Sequence, residues 1–346
     1  MVRRTRSLVG SLAAISTCVG IASSGLAWQA TAASTGPSFG AVPGYNVAVF
    51  AQGTAAYFNP DAIVALGTHV FVDYKNKTSS RGVGTVPSTI VEYNMNGSIV
   101  RKIAVINESD GLRYDSATGM LLALSNNDAN PRLAVINPAT GAVTVSYKLT
   151  SLHGGGYDDL IVQKGHIYLS GSSPKLTNGV NTHPSVAELT MTAHGTSVKP
   201  IQMGDGPAMD MISGQMTKMN IWDPEGMALA PNGDVVQASE NGATLTFIHN
   251  IGTAKQAASV LPEADQVDDL FWMPQATGTM FVVSDSQNVI YKVTGAFKPG
   301  TVYVLAGHGA PVSGLVGTMD LTTGYITPVI VGLGGATGFA FSPTVL

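Results

Sequence analysis

Cysteine is almost missing from this chain: among 346 residues only Cys18 carries a thiol, and it falls in the N-terminal segment. A disulfide framework, a cysteine zinc site and a thiolate nucleophile in the body of the protein are thereby excluded. Charge is scarce as well, with 12% of residues Asp, Glu, Lys or Arg, and no basic stripe is left for nucleic acid. Apolar runs are short after residue 27, and no helical period is sustained anywhere beyond it. The sequence also lacks an H-E-x-x-H pair, a G-x-S-x-G elbow, a P-loop and a dinucleotide fingerprint. Gly154 to Gly156 read as a turn before a strand rather than a phosphate cradle.

The N-terminal segment reads as a leader. Arg3, Arg4 and Arg6 form a basic start, an apolar and small-residue run follows from Leu8 to Ala27, and Ala30-Thr31-Ala32 supplies a cleavage signal. We therefore expect a signal peptide over residues 1–32 and one domain over 33–346. Ser, Thr and Gly interrupt the run and no basic stop follows it, which argues against a membrane anchor. Thr17 before Cys18 fits a lipid-attachment signal poorly. Removing three arginines leaves 15 basic residues against 22 acidic ones, a formal charge of −7 with no cysteine at all. This points to a monomeric bacterial protein, secreted or periplasmic, without a membrane span once the leader is cut.

What remains is rich in strands and tight turns. One stretch sets the plan: in Asn220 to Gly252 an acid and a glycine (Glu225, Gly226) open an apolar strand, a Pro-Asn-Gly turn follows, and a second strand ends at Ser239. Similar starts occur at Asp61-Ala62, Asp110-Gly111, Asp158-Asp159, Asp268-Asp269 and Thr337-Gly338. Second strands are expected to end at Asp73, Ser125, Ser170 and Ser284 with Asp285. Four-stranded units of this kind cannot bury both faces alone, and stacking them radially does so. The fold class is therefore all-β, a six-bladed β-propeller. A strand around Asn46 to Ala51 is expected to close the last blade, so that both chain ends lock the ring. Between Asn288 and Val331 two strand pairs stand where one is needed, which leaves seven blades as the alternative.

The openings D-G-L, E-G-M and T-G-F, together with SDSQNVIYKVTG from Ser284, resemble the NHL-repeat propellers and the wider gluconolactonase, senescence-marker and strictosidine-synthase superfamily. The resemblance covers nearly all of the mature chain through short motifs. In lactonase members it implies a divalent metal at the mouth of the central channel, held by the residue before the glycine that opens an inner strand. Those positions here are Asp110, Glu225 and Thr337, with Asp61, Asp158 and Asp268 at the equivalent place in the other copies.

The residues themselves make a parallel argument. Five carboxylates converging on one axis in a partly dry channel repel strongly. Either a hard cation with oxygen ligands neutralises them, Ca²⁺ being the first choice, or some stay protonated. Asp61, Asp110, Asp158, Glu225 and Asp268 are the expected metal ligands, and Asp158 or Asp268 the catalytic base beside a metal-activated water. A purely structural role for such acids, as acceptors for turn N–H groups, is the other reading.

The loops expected on the same face add ligand-binding candidates: Asn126, Asp128, His153, His183, and Met209 and Met211 from a methionine-rich segment. Five methionines crowd between Met203 and Met219, which reads as an apolar lid or, alternatively, a Cu(I) site. His69, His166 and His249 fall in strands and read as structural, while His308 has no assigned place. The expected function is an exported propeller that binds, and by the resemblance hydrolyses, a small ester- or lactone-type molecule at a cation-bearing mouth. The alternative is a non-catalytic propeller presenting its loop face to a protein or glycan.

Overall fold

Strands flanked by Gly, Asn, Asp and Pro turns assemble here into six sheets around one axis, antiparallel except for one outer pair in blade 4. The computed structural model describes residues 39–84, 86–306 and 314–346, so the leader, Cys18 and His308 lie outside the described residues. Among the described residues there is no helix, and thus none long and apolar enough to cross a membrane.

From the axis outward, blade 1 comprises Pro60–Leu66, His69–Tyr74, Ser88–Asn94 and Ile99–Val105. Blade 2 comprises Ser109–Asp115, Met120–Ser125, Arg132–Ile136 and Val143–Lys148. Blade 3 follows with Leu160–Gln163, His166–Ser170, Pro184–Thr192 and Gly195–Met203. Blade 4 uses Pro224–Leu229, Val235–Ser239, Thr244–His249 and Ala257–Pro262. Its outer edge carries an extra hairpin, Pro207–Asp210 with Met216–Lys218, laid parallel to Ala257–Pro262. The methionine-rich segment is therefore an edge hairpin of blade 4 and not a lid.

The last two blades exchange strands. We expected Leu270–Trp272, the inner strand that follows Asp268, to pair with the strand ending at Ser284. Instead Leu270 faces Val304, and blade 5 continues outward through Val302–Ala306, Leu315–Asp320 and Tyr325–Val331. The hairpin Thr279–Ser284 and Val289–Gly295 crosses to blade 6, whose inner strand is the C-terminal Ala336–Ser342 and whose outer strand is Tyr45–Gln52. This crossing accounts for the surplus strand pair, and the seven-blade alternative falls with it. The closure by both chain ends holds, and Gly40–Ala41 adds a short edge to blade 5.

Between blades the apolar faces interlock. Blades 6 and 1 share Phe281, Val283 and Ile290 with Ile63, Val72, Tyr74 and Val91. Phe50 packs edge-on against Phe281 at 4.8 Å and Tyr93 at 5.9 Å, sealing the ring where the chain ends meet. Each such fully buried side chain contributes about 1.5–3 kcal/mol. The rigid frame that results fixes what the inner strands present to the axis.

Candidate metal centre

Three of the five acids at inner-strand starts, Asp61, Asp110 and Glu225, sit at a break in their ladder, while Asp158 and Asp268 stand just before regular inner strands. The register shifts between Pro60 and Ile63, Ser109 and Leu112, and Pro224 and Met227, leaving Asp61-Ala62, Asp110-Gly111 and Glu225-Gly226 bulged. A bulge re-aims side chains, and here it turns these three acids into the channel. The glycine after the acid has its own cause. A Cβ on Gly111 would lie 2.5 Å from the Asp158 carbonyl oxygen, and one on Gly338 2.4 Å from that of Asp61. Blades 2, 4 and 6 therefore carry glycine, while blades 1, 3 and 5 carry Ala62, Asp159 and Asp269 at that place. Asp159 and Asp269 use it to accept the N–H of Met227 (2.8 Å) and Phe339 (3.1 Å) from the next blade.

Asp61, Asp110, Asp158, Glu225 and Asp268 all line one cavity of about 170 Å³, with Thr337. Asp159, Glu240, Asp269 and Asp285 bring the lining to nine acids against two cations, Lys75 and Arg113. Neither cation was singled out from the sequence. Lys75 Nζ lies 2.5 Å from Asp110 and 3.2 Å from Asp61. Arg113 forms a floor: it donates to Asp159 at 2.5 Å and to the Met227 carbonyl at 3.2 Å, and stands 3.8 Å from Asp269. Below it the channel turns apolar, lined by Ile161, Met227, Leu270, Trp272 and Phe339. The acid chemistry is thus confined to the mouth.

Opposite Lys75, the ring has a different character. Carboxylate oxygens of Asp223, Glu225 and Glu240 lie within 4.8 Å of one another. Only Glu225 of these three was foreseen. Asp223 precedes the bulge and Glu240 follows the second strand of the same blade, so the three acids meet only when that hairpin is closed. Asn241 donates to Asp223 and holds its carboxylate in place. An all-oxygen, all-carboxylate donor set of this kind fits a hard divalent cation.

Burial and mutual repulsion shift these groups together. Burial first, then the charges of Asp158, Asp223, Asp268 and Glu240, push Glu225 well above the usual carboxylate range. Asp158 is raised likewise by burial, then by Asp110 and Asp61, although its hydrogen bond with Glu225 works the other way. Asp268 is raised by burial and then by Glu240. Burial carries Asp61 up to about 7 even with Lys75 pulling against it. Burial would lower the Lys75 ammonium, but Asp110, Asp61 and Glu108 outweigh that and hold it well above its ordinary value.

The remaining candidates lie around the cavity rather than in its lining. Asn126 takes a left-handed turn (φ 67°) and donates to the Asn130 carbonyl at 2.8 Å, whereas its neighbour Asn127 lines the cavity and donates to Asp158 at 3.3 Å. Asp128 ties loops together by accepting from Ser80 at 2.6 Å and from Ser173. His153 is buried against Tyr157, its Nε2 2.9 Å from the Ser172 carbonyl oxygen. His183 is half-buried, and its N–H donates to Asn181 at 3.0 Å. Met209 is exposed on the edge hairpin, and Met211 packs against the core between blades 4 and 5. His69, His166 and His249 pair with Glu92, Glu188 and Asp234 at 2.8, 2.6 and 2.7 Å.

No protein-family model and no curated protein matches the sequence. Solved structures do share the fold. A gluconolactonase from Xanthomonas campestris superposes with a TM-score of 0.50 at 12% identity, over 85% of this chain and 82% of that one. Regucalcin, a calcium-binding protein from Agrobacterium tumefaciens, gives 0.46 at 12% identity, over 85% and 84%. A streptogramin B lyase gives 0.43 at 13%, over 75% and 94%. At such identities the likeness speaks to the propeller alone.

Proposed function

We propose that this chain is an exported, monomeric hydrolase of small ester- or lactone-type molecules, dependent on a divalent cation, Ca²⁺ in the first place, at the acidic mouth of its propeller. The observation that carries the reading is the convergence of Asp223, Glu225 and Glu240 within 4.8 Å at the rim of a cavity where acids outnumber cations nine to two. These three carboxylates would hold the ion, with backbone carbonyls and water completing six to eight oxygen donors. Bound there, a divalent cation supplies polarisation of a carbonyl and a more acidic water.

The chain's own residues supply the proton chemistry. Asp158 is steadied by a hydrogen bond from the Asn127 amide. Its raised pKa moves it from the range of an idle carboxylate toward that of an effective acid–base group. In this reading Asp158 takes the proton of the attacking water at a carboxylate oxygen and returns it to the departing oxygen. Asp268, raised in the same way on the neighbouring side of Glu225, is the alternate for that role. The Arg113 floor separates this acidic mouth from the more apolar channel below it.

The same fold carries a gluconolactonase in X. campestris, which makes lactones the first substrates to try. Chelation is expected to abolish lactone or ester hydrolysis and calcium to restore it. Glu225→Gln should lose bound calcium by more than the roughly 10–100-fold typical of removing an outer-shell partner. Hydrolysis that survives both treatments would overturn the proposal.

A further inference from the structure

Blades 1 and 4 stand opposite each other and place residues in the same register. Pro60 pairs with Tyr74, and Pro224 with Ser239, so the residues that come next, Asp61 with Lys75 and Glu225 with Glu240, occupy equivalent positions. In blade 4 the residue after the second strand is an acid that completes a cation-binding triplet. In blade 1 it is a lysine whose ammonium lies between two carboxylates of the ring, 2.5 Å from Asp110 Oδ1 and 3.2 Å from Asp61 Oδ2. Asp110 is buried, its Oδ2 has no hydrogen-bond partner, and it lines the cavity. An acceptor left over in this way is costly unless a cation with more coordination capacity than one ammonium is meant to fit.

We propose that the Lys75 ammonium is a tethered substitute for a second divalent cation, and that it limits the ring to a single metal ion on the blade 4 side. The inference rests on the reading of Asp223, Glu225 and Glu240 as the resident site. A monovalent head on a flexible stem offsets one carboxylate charge of the Asp61 and Asp110 pair permanently without acting as a Lewis acid. Only the opposite half of the ring is then left to take its charge from solution. Without the ammonium, Asp61 and both oxygens of Asp110 form an all-carboxylate pocket of the same chemical kind as the triplet in blade 4, a site for Ca²⁺ or another hard divalent ion.

The test is metal stoichiometry, read by elemental analysis and calorimetric calcium titration of the full chain. Wild type is expected to bind one calcium, Lys75→Met two, Lys75→Arg one, and Lys75→Met combined with Asp110→Asn one. Lys75→Met binding no more calcium than wild type would overturn the inference. Failure of that variant to fold in millimolar calcium would do so equally, because the added ion is expected to replace the ammonium. Wild type binding none would instead strike the blade 4 site, and the inference would still be judged by whether Lys75→Met gains an ion relative to it.

Discussion

Blades 1 and 4 solve one electrostatic problem in two ways. Both present an acid on a bulge and a polar residue after the second strand, yet blade 1 carries its own counter-charge in Lys75 while blade 4 adds Glu240 and Asp223. A covalently attached cation is always present and chemically inert. A borrowed one is exchangeable and electrophilic, so the side of the ring that lacks a lysine is where chemistry is expected. The difference shows that an acidic ring is not by itself a metal site. What matters is which part of it the fold leaves uncompensated.

Removing the built-in charge should give the largest effect. In metal-free buffer Lys75→Met is expected to lose about 3–5 kcal/mol in denaturant unfolding, the range for stranding one partner of a buried pair. Calcium should shrink that loss, and a variant as stable as wild type without metal would mean that this side of the ring needs no counter-charge from Lys75.

A middle-sized effect is expected from pH. Glu108 is pushed up to about 8 and Asp61 to about 7, in both cases by burial first. The unfolded chain releases these protons near pH 4, at about the reference carboxylate values. The folded state therefore holds more protons across the window from pH 4 to 8, and cation-free stability should fall as pH rises through it and then level off. Thermal midpoints measured with a chelator present should show this decline, and calcium should flatten it. A midpoint that climbs over the same window would contradict the shifts.

The smallest effect is expected outside the ring. Met209 is exposed on the edge hairpin, so Met209→Ala should change stability by no more than about 0.5 kcal/mol. Calcium binding, followed by titration, should not change. A clear loss of affinity would return that segment to the mouth as a lid.

The acid-then-glycine starts were legible because they repeat and because the reason is local to each copy: a bulge, and a neighbouring carbonyl that admits no Cβ at Gly111, Gly226 or Gly338. The run Asn126 to Asp128 was expected on this face, but which of its residues lines the cavity was not legible: Asn126 takes a left-handed turn and Asn127 reaches Asp158. Arg113 was missed because the bulge at Asp110-Gly111 breaks the simple alternation by which a strand residue's face is read.

By itself the sequence determined an all-β chain of repeating hairpins and put an acid at the head of five inner strands, since turn chemistry and two-residue alternation act over a few residues. Only the tertiary structure decided that Thr279–Ser284 belongs to blade 6, that Lys75 and Arg113 compensate part of the ring, and that Asp223 and Glu240 join Glu225. The physical reason is that many apolar strands here are interchangeable as neighbours. Which two pair, and which charges then meet, follows from packing between segments tens of residues apart and not from any pattern within one of them.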